Sequence, residues 1–391
     1  MSVEALRSAE WLVRAETQAI FAALDGAQGR TRAVGGVVRD TIVDRQRPNP
    51  DIDLATELLP EAVVARAKAA GIACYPTGIE HGTVTLKLGE TLAEVTTLRR
   101  DVETNGRHAV VAFGTDWGVD ASRRDFTLNA LYCGPDGVLF DPLGGVEDAL
   151  AGRVRFIGEA GQRIAEDGLR VYRFFRFSAS HGGQQFDPDG VAACAAAAEQ
   201  LSHLSRERVG SEIMRMLDLP QVALTLLLMA EAGLLRFADS AARALVAYET
   251  MGGQSAISRL ALLAGDGLGA AQDAWRLSKD TIAQAQKVLS AAALLAEEHV
   301  GEAAYRFGEH AVEGLAVAAA RDGWGQARLA ETARALAGRV VPPFPVNGRD
   351  LAGLGMSPGP EMGNSLARLE RAWIESGFVL GKRELLALVQ L

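Results

Sequence analysis

The sequence predicts an α+β protein in which a mixed α/β head is followed by a long all-α region. Residues 31 to about 145 mix alternating strand patterns with short helical patterns, and nearly everything after residue 146 has helical periodicity. The chain has 391 residues and is 48% hydrophobic, so it can form two or more domains with sizeable cores. We expect a head at residues 1–145, a helical neck at 146–235, and a helical body and tail at 236–391.

The head is predicted to contain a series of short elements. A helix is expected over EALRSAEWLVRAETQAIFAAL near the N-terminus, a strand over DIDLAT, and a helix over EAVVARAKAA that ends at Gly71. The stretches GTVTLKL and LAEVTTL alternate and are joined by a short turn, which predicts a β-hairpin. RRDFTLNALY is expected to be a helix and GVLFDP a strand. In the helical region, the prolines and glycine of VVPPFPVNG (340–348) predict a break.

Two aspartates, Asp51 and Asp53, are separated by one residue in the strand DIDLAT. Residues i and i+2 of a strand point to the same face, so the two carboxylates would lie side by side with Ile52 in the core. Adjacent carboxylates repel each other unless a cation lies between them. Mg²⁺ takes oxygen ligands and bridges phosphates. The pattern therefore fits a magnesium site, and the alternative is a pair of solvated carboxylates at a strand end.

A glycine pair, Gly35 and Gly36, precedes the helical pattern that contains Arg39. Glycines at a strand-to-helix turn let the backbone approach a phosphate, and an arginine adds a forked donor. The alternative is a plain turn in which Arg39 pairs with Asp40 or Asp44. The stretch is neither a P-loop, since no Gly-Lys-Ser/Thr follows, nor a dinucleotide fingerprint.

A third acid, Glu94, lies in the second strand of the predicted hairpin, on the same face as Thr96. If this strand lies beside the one that carries Asp51 and Asp53, Glu94 joins the acidic set. The alternative is an exposed strand glutamate, and spacing alone does not separate the two.

Three motifs in order carry a resemblance: GGVVRD…DID, RRDFTLNALY (123–132) and EDGLRVYRFFRF (166–177). Together they resemble the class II tRNA nucleotidyltransferase (CCA-adding enzyme) and bacterial poly(A) polymerase family, which belongs to the nucleotidyltransferase superfamily that includes DNA polymerase β. The match covers roughly residues 30–235. It implies a polymerase β-like catalytic head, a neck with a base-selecting motif, and an RNA-binding body and tail.

The resemblance also implies the activity and the site. The enzyme would add C, C and A to the 3′ end of tRNA from CTP and ATP, with Mg²⁺ and without a template, releasing pyrophosphate. The catalytic acids would be Asp51, Asp53 and Glu94, the first two holding Mg²⁺. The nucleotide-binding residues would be Gly36, Arg39, Arg124, Asp167, Arg170, Arg173 and Arg176, of which the first three contact the triphosphate and Asp167 and Arg170 pair with the base.

The base-selecting pair is chemically reasonable. Asp167 and Arg170 present acceptors and donors together, so they can mimic a Watson–Crick partner for cytosine or adenine. On one continuous helix these two residues are neighbours, whereas Arg176 lies on roughly the opposite side from Asp167. We therefore expect Arg176 to contact a phosphate or the head. The alternative for the arginines is ion pairing with Glu166 and Asp167. For the phenylalanines of RFFRF we expect core packing rather than base stacking.

Residues 98–114, LRRDVETNGRHAVVAFG, resemble the flexible loop that lets family members switch from C to A. Its charged residues are Arg99, Arg100, Asp101, Glu103 and Arg107. The alternative is an ordinary surface loop. The presence of the loop favours full CCA addition over addition of CC alone.

Other functions fit less well. Poly(A) tailing of RNA shares the head and neck, but no long basic extension is present to hold RNA processively. A small-molecule adenylyltransferase needs no C/A selector, and an inactive RNA-binding protein needs none of the acids and arginines that are in place. The chain contains no adjacent His-Asp, so no HD phosphohydrolase activity is expected.

The composition bears on partners and location. The net charge is −9, yet six arginines lie between Arg153 and Arg176 against three acids, so tRNA would meet local arginine clusters on an acidic background. The three cysteines, Cys74, Cys133 and Cys194, form neither a metal pattern nor a disulfide framework, as in a reducing cytoplasm. The N-terminus does not look like a signal peptide, and the most apolar stretch, interrupted by Glu231, is too short to span a bilayer. We expect a cytoplasmic enzyme without a membrane partner.

Overall fold

The computed structural model describes residues 1–105 and 108–389; the side chains of residues 76, 77, 80 and 100–111 lie outside what it describes. The chain divides into two compact units. The first consists of Met1–Met216 and Leu224–Arg236, and the second of Leu217–Ala223 and Phe237–Leu391. The first unit contains every strand that the described residues form.

The strands of the described residues are β1 (Thr31–Val34), β2 (Ile52–Thr56), β3 (Ala73–Gly78), β4 (Thr83–Leu88), β5 (Thr91–Thr97), β6 (Arg99–Asn105), β7 (His108–Phe113), β8 (Tyr132–Cys133) and β9 (Leu139–Phe140). Seven of them form one sheet in the order β3-β4-β5-β2-β1-β8-β9, and β6 and β7 form a separate antiparallel ribbon. The β2–β5 pair is parallel, and the other pairs are antiparallel. The predicted β4–β5 hairpin and the strand DIDLAT are both confirmed.

The α-helices of the first unit, in chain order, are α1 (Glu10–Val13), α2 (Ala15–Ala23), α3 (Gly36–Ile42), α4 (Pro60–Ala69), α5 (Trp117–Ser122), α6 (Gly145–Ala151), α7 (Ala160–Glu166), α8 (Leu169–Ser180), α9 (Pro188–Ala197), α10 (Arg206–Leu217) and α11 (Ala223–Glu231), the last two of which reach the unit boundary. The neck segment is helical, as predicted.

All the regular secondary structure formed by the described residues of the second unit is helical. Its α-helices are α12 (Asp239–Thr250), α13 (Ala256–Ala264), α14 (Leu268–Trp275), α15 (Lys279–Ala296), α16 (Val300–Phe307), α17 (His310–Asp322), α18 (Gln326–Ala337), α19 (Gly348–Gly353), α20 (Pro360–Glu375) and α21 (Lys382–Ala387). The predicted break at 340–348 lies between α18 and α19. A second small core forms around Trp373 and Leu369. In the described part of the chain, no helix is long and apolar enough to cross a membrane.

The single long N-terminal helix predicted from the sequence is wrong. The segment forms a 3₁₀ helix (Val3–Ser8) and then α1 and α2, because Ala9 and Arg14 have extended backbone conformations. The three short helices that result bury Leu6, Trp11 and Phe21.

The helix predicted for RRDFTLNALY is also wrong. Phe126 is extended and forms an isolated bridge with Phe156, residues Thr127–Asn129 form a 3₁₀ turn, and Tyr132 begins β8 beside β1. Local side-chain bonds compete with the helix, because the Asp125 carboxylate accepts the Phe126 amide at 2.8 Å. Strand pairing at Tyr132 then decides the conformation.

Candidate active site

The acidic residues lie at the start of β2 and in the neighbouring strand β5. β2 and β5 pair in parallel with Asp53 directly opposite Glu94, so the strand arrangement on which the role of Glu94 depended is present. Asp51 precedes β2, and Ile52 between the two aspartates is buried, as predicted. Asp51, Asp53 and Glu94 are exposed residues, although the protein atoms around the Asp53 carboxylate displace part of its water. Neighbouring strands therefore place Asp53 and Glu94 side by side on one face.

The electrostatics of this acidic set are unbalanced. Loss of surrounding water raises the pKa of Asp53 to about 6, the charges of Glu94 and Asp51 act in the same direction, and only Arg124 opposes them. Within the described residues, neither Asp53 nor Glu94 forms an ion pair, and no three His, Cys, Asp or Glu residues are grouped closely enough to hold a metal ion. The donor chemistry nevertheless fits Mg²⁺, since a cation would relieve the mutual repulsion of hard carboxylate oxygens.

The glycine turn stands between β1 and α3. Gly35 has φ +74°, a conformation that favours glycine, and its amide donates to the Leu131 carbonyl at 3.0 Å. Gly36 begins α3, and a Cβ at this position would stand 3.8 Å from the Arg39 Nη2 atom. The guanidinium of Arg39 therefore lies directly beneath the turn.

Arg39 is buried, and the pairing offered as its alternative in the sequence is present. Its Nε donates to Asp40 Oδ1 at 2.8 Å, and its Nη1 donates to the side chain of Asn129. Asp40 in turn contacts His181 Nε2 at 3.1 Å. Burial lowers the pKa of His181 despite the hydrogen bond to Asp40, which favours the neutral ring at pH 7.

Asp167 does not lie on the helix that carries the arginines. It occupies an extended position between α7 and α8, and α8 begins at Leu169. Its Oδ1 accepts the Leu169 amide at 3.1 Å, and its Oδ2 accepts Arg208 Nη2 at 2.9 Å. The expectation of one continuous helix through Asp167 and Arg176 is therefore wrong, since the extended residue sets the direction of the carboxylate.

Arg170 is held by its Nη1 edge. Nη1 donates to Glu166 Oε2 at 2.7 Å and to the Arg163 carbonyl at 2.8 Å, and Nη2 donates to the Arg123 carbonyl at 3.1 Å. The ion pair with Glu166 that the sequence left open is present. Arg170 thereby connects the neck to the backbone immediately before Arg124.

Arg173 and Arg176 pair with buried carboxylates. Arg173 Nε donates to Asp125 Oδ2 at 2.7 Å, and Arg176 Nε donates to Glu212 Oε2 at 2.6 Å. We expected Arg176 to contact a phosphate or the head, but its partner lies on the neck helix α10, whereas Arg173, like Arg170, contacts the head.

The phenylalanines of the RFFRF stretch are core residues, as predicted. Phe174 and Phe175 are fully buried and Phe177 is nearly so. Phe126 of the head contacts Phe174 and Phe177, with ring centroids 6.3 and 5.6 Å apart. Their role is to join the head and the neck within the first unit.

Sequence reasoning missed three residues of this network: Asp125, Asn129 and Glu212. Asn129 Nδ2 donates to Asp125 Oδ1 at 3.0 Å, which links Arg39 to Arg173 through two side chains. The i, i+4 spacing of an acid and an amide in RRDFTLN was a visible signal. Glu212 had a weaker one, as an acid among apolar residues of an amphipathic helix.

The segment predicted as a flexible loop, 98–114, consists largely of the β6–β7 ribbon. Arg107 lies outside the described residues, as do the side chains of Arg100, Asp101 and Glu103. The Arg99 side chain donates to the His81 carbonyl. The proposed part of this segment in switching from C to A stays a prediction.

The fold and the site together define a nucleotidyltransferase: a mixed sheet with paired carboxylates on adjacent strands, a glycine turn above a buried arginine, and an arginine-rich helical neck. Sequence patterns agree with this class. The poly(A) polymerase head domain matches residues 31–155, the RNA and SrmB-binding site of polymerase A matches 183–238, and domain 2 of tRNA nucleotidyltransferase matches 267–389.

Individual relatives narrow the class. The chain is 33% identical over 385 residues to the human protein named CCA tRNA nucleotidyltransferase 1, mitochondrial, covering 92% of this chain and 86% of that one. It is 32% identical over 387 residues to the zebrafish (Danio rerio) protein of the same name, covering 92% and 87%. The crystal structure of the Bacillus stearothermophilus CCA-adding enzyme in complex with CTP has a TM-score of 0.76 and 30% identity, covering 93% of both chains. The chain belongs to the CCA-adding tRNA nucleotidyltransferase family.

Proposed function

We propose that this protein adds C, C and A to the 3′ end of tRNA from CTP and ATP without a nucleic-acid template. The observation that carries the proposal is the parallel β2–β5 pair, which puts Asp53 opposite Glu94 on the sheet beside Arg124. The similarity to enzymes named for CCA addition, over nearly the whole chain, supports the same activity.

The reaction is a direct displacement. The 3′ oxygen of the RNA forms a bond to the α-phosphorus, the bond from that phosphorus to the bridging oxygen breaks, and pyrophosphate leaves while the hydroxyl proton passes to solvent. We assign Asp51 and Asp53 as the residues that hold Mg²⁺, with Glu94 completing the acidic set. When bound there, the metal would lower the pKa of the attacking hydroxyl and stabilise the charge on the leaving group.

The arginines supply fixed positive charge on the nucleotide side. We assign Gly36, Arg39 and Arg124 to the triphosphate: the Arg39 guanidinium lies under the Gly36 backbone, and Arg124 is the cation that acts on Asp53. Because these charges are already held by the fold, they cost little reorganisation during the reaction.

Base choice is assigned to Asp167 and Arg170, with Arg173 and Arg176 completing the nucleotide contacts. An ionised carboxylate accepts the amino group of cytosine or adenine and repels the carbonyl that uracil or guanine presents there. Arg208 Nη2 donates to Asp167 Oδ2 at 2.9 Å, and Arg170 keeps its Nε free of partners within the described residues.

We assign the catalytic head to residues 1–145, the neck to 146–235 and RNA binding to the body and tail, 236–391. The three matched sequence patterns follow one another along the chain at residues 31–155, 183–238 and 267–389, and the one described as an RNA-binding site lies mainly in the neck. We also propose a cytoplasmic location, supported by three unpaired cysteines. The vertebrate relatives are named as mitochondrial enzymes, so cell fractionation followed by immunoblotting is the appropriate test.

The direct test gives the purified protein three tRNAs that end before CCA, after C and after CC. With Mg²⁺ and labelled CTP and ATP, product length is read on a gel. We expect growth that stops at CCA from all three. A long A ladder on any RNA would instead identify a poly(A) polymerase, a stop at CC would contradict the role of residues 98–114, and no incorporation would reject the proposal.

A further inference from the structure

The side chain of Arg124 is held by hydrogen bonds to two buried side chains, Asp120 and Tyr132. Asp120 in α5 and Tyr132 at the start of β8 are each no more than 1% exposed. The Tyr132 hydroxyl donates to Asp120 Oδ2 at 2.9 Å and accepts Arg124 Nε at 3.1 Å. Asp120 Oδ2 also accepts Arg124 Nη2 at 3.2 Å, while Oδ1 accepts Arg123 Nε at 2.9 Å. The three polar groups form a closed triangle.

This triangle stands on the same face of the sheet as the catalytic acids. Tyr132 pairs with Val34 of β1 and packs in one cluster with Val34 and Ala55. Ala55 is two residues along β2 from Asp53, so both point to that face. The charge of Arg124 lowers the pKa of Asp53, so the guanidinium lies near the acidic set.

The geometry divides the donors of Arg124 into two groups. Its Nε and one edge of Nη2 are committed to Tyr132 and Asp120, whereas Nη1 has no hydrogen-bond partner within the described residues. About a fifth of the side chain is exposed. Burial alone would lower the pKa of Arg124, but the fields of Tyr132 and Asp120 raise it, so the group stays charged. The Nη1 edge of the planar guanidinium is therefore on the side opposite the Nε edge that binds Tyr132 and Asp120.

We propose that Tyr132 and Asp120 are positioning residues that fix Arg124 by its Nε edge, so that its Nη1 edge is presented to the phosphates of the incoming nucleotide. This inference rests on the proposed function. Holding a long side chain in its binding geometry removes part of the ordering cost of binding. Since CTP and ATP share the same triphosphate, the hydrogen bonds of Tyr132 and Asp120 to Arg124 affect both nucleotides equally and take no part in base choice.

The test removes a single oxygen with Tyr132→Phe. The matched control is Tyr172→Phe, because Tyr172 is also buried, on α8, and its hydroxyl has no hydrogen-bond partner within the described residues. We expect Tyr132→Phe to raise KM about 3- to 10-fold for both CTP and ATP. It should leave kcat within about twofold and the C-to-A preference unchanged. Asp120→Asn, which keeps the shape but loses the charge, should raise both KM values further. Tyr172→Phe should change none of these.

A double-mutant cycle separates positioning from general structural damage. In an Arg124→Gln background, Tyr132→Phe should add no further increase in KM, because its target is gone. The inference is overturned if Tyr132→Phe raises KM just as much in the Arg124→Gln background. It is also overturned if Tyr132→Phe leaves KM unchanged in the wild-type background.

The proposed function can fail separately. If the wild-type protein adds C and A normally and Tyr132→Phe behaves like Tyr172→Phe, only the positioning role is wrong. If the wild-type protein incorporates nothing, the equilibrium dissociation constant for CTP with Mg²⁺ replaces KM in the same cycle. A wild-type protein that neither incorporates nor binds CTP would reject both proposals.

Discussion

Asp53 on the sheet and Arg173 in the neck are both charged residues of the proposed nucleotide site, but their electrostatic settings are opposite. Asp53 faces Glu94, another acid, and has no ion pair within the described residues. Arg173 lies between two acids, with Asp125 at 2.5 Å and Glu212 at 3.9 Å. On the sheet, acids lie beside other acids, whereas each of these neck arginines forms ion pairs with carboxylates.

The two settings differ in where the balancing charge comes from: the fold provides it for the neck arginines, and a ligand would have to provide it for the acidic set. The pKa of Asp53 is higher in the folded protein than in the unfolded chain. Ionisation of Asp53 therefore lowers the free energy of unfolding. The carboxylates that pair with the neck arginines behave in the opposite way: although burial acts against it, Arg173 lowers the pKa of Asp125. The neck arginines are therefore already paired in the folded protein, whereas we propose that a bound cation completes the acidic set.

The largest expected effect comes from neutralising the acidic set. Asp53→Asn should lower CCA addition by roughly 10³-fold, because metal-assisted charge stabilisation contributes several kcal/mol. The same change should leave the melting temperature unchanged or raise it, since it removes a repelled charge. Steady-state incorporation and a thermal melt measure the two effects. Glu90→Gln, in the exposed turn between β4 and β5, is the control and should alter neither. A fall in melting temperature with Asp53→Asn would contradict the contrast.

The second-largest expected effect is a loss of stability when a paired acid of the neck is neutralised. Glu212→Gln should destabilise the first unit by about 3 kcal/mol, because it leaves Arg176 without its buried partner. For a unit of this size that corresponds to a melting temperature lower by roughly 6–12 °C. Glu199→Gln, an exposed acid elsewhere in the neck, should have no effect. If both variants melt like the wild type, the neck network is not what stabilises the site.

Base choice should respond at an intermediate level. Asp167→Ala should reduce the preference for CTP over UTP by roughly 10- to 100-fold, since a well-placed base contact contributes about 1–3 kcal/mol of discrimination. Competition between labelled CTP and UTP on a tRNA that lacks CCA measures the ratio. Asp189→Ala, an exposed acid on α9, serves as the control. Retained discrimination in Asp167→Ala would assign base choice to other residues.

The smallest effect is a pH dependence. Asp53 must be ionised to bind a cation, so the Mg²⁺ concentration for half-maximal activity should rise about tenfold per pH unit below about 6 and be constant above it. The stability contribution has the opposite sign. Because the folded pKa is raised, it is present in acid below the unfolded pKa of about 3.9 and is lost as pH rises through about 6. Activity titrations with Mg²⁺ at several pH values test this, and Asp53→Asn should abolish the stability component.

The sequence predicted elements well where one local rule was enough. Alternation identified β4 and β5, and the prolines and glycine of 340–348 identified the break before α19. It failed at the N-terminus and at RRDFTLNALY, where helical propensity competes with tertiary contacts. There the burial of Trp11 and the pairing of Tyr132 with Val34 decided the backbone.

The candidate site divides in the same way. Asp51, Asp53 and Arg124 could be named from motifs, because the chemistry demands those residue types at short spacings. Partners distant in sequence could not, since no local pattern joins Asp125 to Arg173, 48 residues apart, or Asp40 to His181, 141 residues apart. Those pairings exist only when the head and the neck pack together through Phe126 and Phe174.

The sequence by itself determined the class of protein, the order of head, neck and helical body, and the residue types of the site, because periodicity and motif spacing are local properties. Tertiary structure alone decided that Glu94 lies opposite Asp53, that Asp167 leaves the helix, and that Arg124 is held by Tyr132 and Asp120. The physical reason is that strand register and the burial of charge depend on residues far apart in the chain, whose contacts no local propensity encodes.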